Sequence, residues 1–172
     1  SASISFVDGT DGVVLDDTYS SYIFKFINCH PATDQAELSF NMSTDTGSNY
    51  NVVKTSTAWT AEHREDGSGG GISYYTSKDL AQSTAFQEIG RETANDDDVA
   101  SSGTLQIFNL SSTVFVKHFI SRVNTIYNSS PDYAQDMFVG GYGNTTSAVD
   151  AVQFKFASGN IDDGIIKLYG VK

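Results

Sequence analysis

From Asp150 to Lys172 the chain reads DAVQFKFASGNIDDGIIKLYGVK, and its apolar residues fall on every second position. Val152, Phe154 and Phe156 alternate with Gln153 and Lys155; Ile166 and Leu168 alternate with Lys167. Side chains on an extended strand point to opposite faces with a period of two, so each run specifies a strand with one buried face. The polar run from Ser158 to Gly164 between them reads as a turn, which predicts a β-hairpin. Its last strand is expected to pair deep in a sheet rather than fray.

The same alternation recurs through the chain. Ser3–Val7 is a short strand, closed by the turn residues Asp8-Gly9-Thr10-Asp11-Gly12. In Tyr22–Cys29, Tyr22, Phe24 and Phe26 share one face and Ile23, Lys25 and Ile27 the other, which predicts a central strand covered on both sides. Pro31 closes it, having no N–H for a ladder. Leu38, Phe40 and Met42 alternate with polar residues, and the Thr44–Asn49 turn leads to a strand over Tyr50–His63, a second predicted hairpin. Residues 64–98 carry Gly67, Gly69, Gly70 and Gly71, three consecutive aspartates at Asp96–Asp98 and a weak helical pattern over Ser77–Ile89, and read as a long excursion. Strands resume at Thr104–Leu110, Phe115–Tyr127 and Tyr133–Tyr142. About nine strands at this spacing predict an all-β fold: one antiparallel β-sandwich domain over residues 1–172, jelly-roll-like. Phe24, Phe26, Leu38, Phe40, Phe154, Phe156, Ile166 and Leu168 are expected in its core.

Ten basic residues against twenty-one acidic ones give a net charge of −11, so a nucleic-acid backbone is repelled overall and nucleic acid is not an expected partner. No apolar run reaches the roughly 18–20 residues of a membrane helix, and the first residues lack the pattern of a signal peptide, which predicts a soluble chain without membrane insertion. Cys29 is the sole cysteine and has no intrachain disulfide partner.

Candidate chemistry is sparse. Cys29 and His30 are neighbours on a strand, so they point to opposite faces and do not form a nucleophile and base pair. Glu62, His63 and Glu65 around Arg64 lack zinc-ligand spacing. His118 alternates with Val116 and Ile120 and is expected as a hydrogen-bonded core or interface histidine. The acidic pairs Asp8/Asp11, Asp16/Asp17 and Asp162/Asp163, with Asp96–Asp98, fit no EF-hand, and their expected role is in solvated turns. The chain is therefore expected to be no enzyme and to need neither metal nor cofactor. Trp59, Tyr74, Tyr75, Tyr127, Tyr133 and Tyr142, set among Ser, Thr, Asn and Gly, are the candidate binding residues, read as exposed loop aromatics suited to stacking on sugar rings.

The terminal ASGNIDDGIIKLYGVK, the segment FINCHPATDQAELSF from Phe26 to Phe40, and FVKHFISR followed by GNTTSAVDAVQFKFASGN resemble a β-rich domain of tailed-bacteriophage structural proteins, found at the C-terminal end of tail-fibre-like and other virion-surface chains. The resemblance runs from Ile4 to Lys172 and implies an all-β virion component located at the particle surface; it maps no catalytic residue onto this chain. The function it implies is a tail-fibre or host-attachment module binding a receptor or host surface glycan. The alternatives are a capsid decoration (cement) protein and a free carbohydrate-binding module. Other virion proteins and further copies of the chain, as a homotrimer, are the expected partners.

Overall fold

The computed structural model describes all of residues 1–172. Eleven strands and no helix make up the chain: β1 (Ile4–Val7), β2 (Ser21–Pro31), β3 (Leu38–Ser43), β4 (Lys54–Arg64), β5 (Gly70–Tyr74), β6 (Gln87–Glu88), β7 (Ser101–Phe108), β8 (Lys117–Tyr127), β9 (Tyr133–Gly143), β10 (Ala151–Phe156) and β11 (Ile161–Val171). They form a four-stranded sheet in the order β1-β10-β3-β6 and a seven-stranded sheet in the order β11-β2-β7-β8-β9-β4-β5. All pairings are antiparallel, and the two sheets pack as a sandwich.

The inward positions of both sheets supply the core. Phe154 of β10 lies within 5.0–5.2 Å, ring centre to ring centre, of Phe24 and Phe26 on the opposite sheet, and Phe40 of β3 meets Phe119 of β8 at 5.1 Å. Edge-on and tilted aromatic pairs of this kind add to the burial of large apolar area. Phe24, Phe26, Leu38, Phe40, Phe154 and Phe156 are fully buried as expected, whereas Ile166 and Leu168 are half-buried against the core.

Neither the terminal hairpin nor the Thr44–Asn49 hairpin forms. β10 pairs with β1 and β3 in one sheet while β11 pairs with β2 in the other, and β3 and β4 are likewise in different sheets. The apolar faces of β10 and β3 are buried across the sandwich instead, Phe154 against Phe24 and Phe26 of β2 and Phe40 against Phe119 of β8, and in each case the next strand of the chain lies in the other sheet. The polar turn between them spans the ~10 Å between sheets. β11 is consequently an edge strand, which leaves Ile166 and Leu168 partly open. β2 lies next to that edge, and its outer residues Lys25 and Ile27 are exposed rather than covered.

Residues 64–98 contain no helix. The glycine-containing turn after Arg64 makes a true β4–β5 hairpin, Lys54 bridges to Ser83, β6 joins β3, and Ala36 bridges to Thr93. The excursion thus runs from the edge of one sheet to the edge of the other and closes that side of the sandwich, burying Gln87, Ile89, Thr93 and Ala94.

Candidate functional site

The two outer faces of the sandwich differ. On the four-stranded sheet the outward Ser39, Asn41 and Ser43 of β3 are buried, because the flanking loops lie over them: the Asn41 amide donates to the carbonyls of Tyr50 and Thr84 at 2.7 and 2.9 Å. The outer face of the seven-stranded sheet has no such cover. There Ile120 is 60% exposed and Arg122 64%.

The most organised part of that open face lies across β4, β9 and β8. Trp59 is in register with Phe138, and Phe138 with Arg122. Trp59 and Phe138 stack with ring centres 3.9 Å apart and planes 5° from parallel. The Arg122 guanidinium lies 4.8 Å from the Phe138 ring centre. β4 and β8 flank β9 from opposite sides, so Phe138 is held between indole and guanidinium. Arg122 also donates through Nε (2.9 Å) and Nη2 (2.6 Å) to Asp136 Oδ2, two residues along β9. This charge-assisted pairing holds the guanidinium above its ordinary pKa and fixes its plane. Ring, cation and carboxylate are thereby pre-positioned rather than left to order on binding.

Two shallow depressions adjoin the Arg122–Asp136 pair. One, of about 340 Å3, is lined by Ser102, Gly103, Thr104, Arg122, Asn124 and Asp136. The other, of about 180 Å3, is lined by Ala61, Glu62, His63, Asn124, Ala134 and Asp136. Hydroxyl, amide, guanidinium and carboxylate groups beside an aromatic ring are the donors, acceptors and apolar surface that a polyhydroxylated ring needs.

Five of the six predicted binding aromatics stand on strands rather than in loops, and they do not gather in one place. Trp59 is half-buried on β4, and Tyr74 is opposite it on β5, 55% exposed, with its hydroxyl donating to Asp79 at 2.6 Å. Tyr142 shares the same outer face on β9, near His118 at 6.1 Å. Tyr127 and Tyr133 pair with one another at the far end of the β8–β9 hairpin, 6.0 Å apart, with Arg64 over Tyr133. Tyr75 is no exposed aromatic: it packs on the core with Arg91 4.2 Å from its ring centre, and burial raises its phenol pKa. Phe138, Arg122 and Asp136 were not among the predicted residues. Alternation along Tyr133–Tyr142 puts Asp136, Phe138 and Tyr142 on one face, but their partners on β4 and β8 depend on register.

His118 is exposed and not a core residue. The inward residues of β8 are Lys117, Phe119, Ser121, Val123 and Thr125, so His118 and Ile120 face outward. The grouping of His118 with Ile120 holds, but the opposite face, which includes a buried lysine, is the inward one. The Lys117 ammonium donates to the carbonyls of Ser112, Phe115 and Thr145, which lets it sit inside.

The remaining candidates are dispersed. Cys29 is buried, and burial pushes its thiol up to about 11, while His30 turns away to Asp162 (3.6 Å) and the Asp96 carbonyl (3.2 Å). Asp97, Asp98, Asp162 and Asp163 line a cleft of about 430 Å3 with His30, but no three acidic, His or Cys side chains converge on a point that fits a metal ion. Glu62 approaches Arg91 at 4.0 Å, and His63 is exposed. Comparison with protein-family models, with curated proteins and with solved structures finds no match to this chain.

Proposed function

We propose that the chain is a glycan-binding attachment module of a bacteriophage virion surface, non-catalytic, and that it recognises its receptor with the outer face of the seven-stranded sheet. The observation that carries this reading is the Trp59–Phe138–Arg122 stack, fixed by Asp136 and bordered by depressions lined with Ser102, Thr104 and Asn124. An uncovered sheet face that presents rigid aromatic surface next to oriented polar groups suits a sugar, which buries its apolar ring face and hydrogen-bonds through its hydroxyls. The resemblance of the terminal segment to virion-surface domains supports the placement on a phage particle. The alternation of β1 to β4 between the two sheets supports a jelly-roll winding. A homotrimer is the proposed working form, since Cys29 provides no intrachain disulfide and apolar surface remains uncovered at Val114 and Phe115.

Because Trp59 is the sole tryptophan and stands in the site, its emission reports binding directly. Titration with a panel of host-envelope oligosaccharides should change that emission saturably, and Trp59→Phe, which lacks this reporter, should keep the fold while binding more weakly by calorimetry. Gold-labelled antibody on intact particles should decorate the tail tip; uniform labelling of the head would instead assign the chain to capsid decoration.

A further inference from the structure

Resting on the reading of this face as glycan-binding, we infer that the ligand is an acidic polysaccharide. One transverse row of the seven-stranded sheet is composed as follows: Tyr74, Trp59, Phe138, Arg122, Thr104, Lys25 and Lys167 are successive register partners across all seven strands. At a strand spacing of ~4.8 Å the row is about 29 Å long. Its first three members are aromatic, and three of the remaining four are cations.

That concentration of positive charge stands out in a chain of net charge −11 with ten basic residues. Lys54 and Lys117 are buried, and Lys78 and Arg91 are held in ion pairs with Glu37, Glu88, Glu62 and Glu92. Lys25 and Lys167 are exposed and sit directly opposite one another on β2 and β11. Like charges so placed repel and weaken the strand pair. None of the twenty-one acidic residues forms an ion pair with either of them; the chain's ion pairs use His30, Lys78, Arg91 and Arg122. An anion bridging the two ammonium groups removes that repulsion. Lys25 is steadied by the Tyr169 ring, 5.3 Å from its Nζ.

Arg122 continues the pattern about 10 Å along the row, two strands from Lys25. Asp136 takes its Nε–H and one Nη2–H. A guanidinium has five N–H donors, so both on Nη1 and the second on Nη2 stay free as an end-on fork suited to a carboxylate, sulfate or phosphate substituent. A sugar chain lying across the strands meets aromatic surface at one end and anion-binding groups at the other, and the surrounding negative charge repels anions that approach elsewhere. The shared chemistry is a sugar polymer bearing repeated anionic groups.

The test measures Trp59 emission and calorimetric affinity of the full chain toward length-matched oligomers of polygalacturonate (carboxylate), dextran sulfate and neutral dextran, with a thymidine oligonucleotide as a phosphate polymer without sugar-ring stacking. The expected result is tighter binding of an acidic saccharide than of dextran, weakening with salt. The double variant K25Q/K167Q, at two exposed positions, should bind the acidic saccharide about tenfold more weakly and leave dextran binding unchanged. R122Q should act in the same direction. Equal affinity for acidic and neutral saccharides, or acidic binding indifferent to K25Q/K167Q, overturns the inference and leaves the glycan reading standing. Binding to no saccharide sinks both. Tighter binding of the oligonucleotide than of any saccharide makes the row a nucleic-acid contact and overturns it as well.

Discussion

The rings of Trp59 and Phe138 lie 3.9 Å apart and 5° from parallel on the open face of the sheet, on neighbouring strands β4 and β9. A cross-strand pair on a solvent face contributes about 1 kcal/mol, far less than a core aromatic. Trp59→Ala is therefore expected to lower the melting temperature by only about 2–4 °C while removing most saccharide affinity. A loss of stability as large as that of a core truncation would identify the stack as structural support instead.

Phe154 provides the contrast. Its ring lies 5.0, 5.2, 6.1 and 6.5 Å from those of Phe24, Phe26, Phe6 and Phe40, and so joins both sheets. Phe154→Ala is expected to cost about 3–5 kcal/mol in urea unfolding, from lost burial and the cavity left behind. Phe6→Ala, on the half-buried edge strand β1, should cost clearly less. Equal losses would mean that the core does not centre on Phe154.

Much of this core could be read from alternation alone, since Phe24, Phe26, Leu38, Phe40, Phe154 and Phe156 show which face each strand buries. Alternation does not say which strand lies beside which. The face of Phe154 needs an opposing layer whether the next strand pairs beside it or lies in the other sheet, so the partners of β3, β10 and β11 were missed. The site was legible in the same partial way. Trp59, Tyr74 and Tyr142 carried a composition signal, whereas Arg122 and Asp136 gain meaning only once β8 and β9 are in register with β4. Lys117 misled the reading of β8, because sequence gives no sign that three backbone carbonyls will receive its ammonium.

Lys54 is fully buried without a carboxylate partner; its Nζ donates to Asn41 Oδ1 at 2.5 Å and to the Val52 carbonyl at 2.8 Å. Desolvation brings its pKa down to about 7 from 10.5. Between those values the unfolded chain binds a proton that the folded chain does not, so folding stability must rise with pH across that interval. Below pH 7 the penalty of charging the buried amine is fully present. Urea unfolding at a series of pH values should show a gain on the order of 2 kcal/mol between about pH 7 and pH 9. Lys54→Met should flatten that rise, and a rise retained in full by the variant would assign it to other groups.

The connection between β7 and β8 presents Val114 and Phe115 to solvent, 69% and 66% exposed. It is a held tip. Ser112 Oγ accepts the backbone N–H groups of Val114 (3.2 Å) and Phe115 (3.0 Å), and the buried Lys117 ammonium binds the carbonyls of Ser112 (2.6 Å) and Phe115 (2.9 Å). Two adjacent large apolar side chains on a backbone held outside the core lower their free energy by meeting another surface, and the backbone's ordering cost is already met within the chain. The expected outcome is self-association at micromolar concentration, with light scattering giving three times the chain mass, and dissociation to monomer in V114S/F115S with unchanged melting behaviour at low concentration. A wild-type chain that scatters as a monomer at every concentration would refute self-assembly through this tip and direct the contact to a different protein.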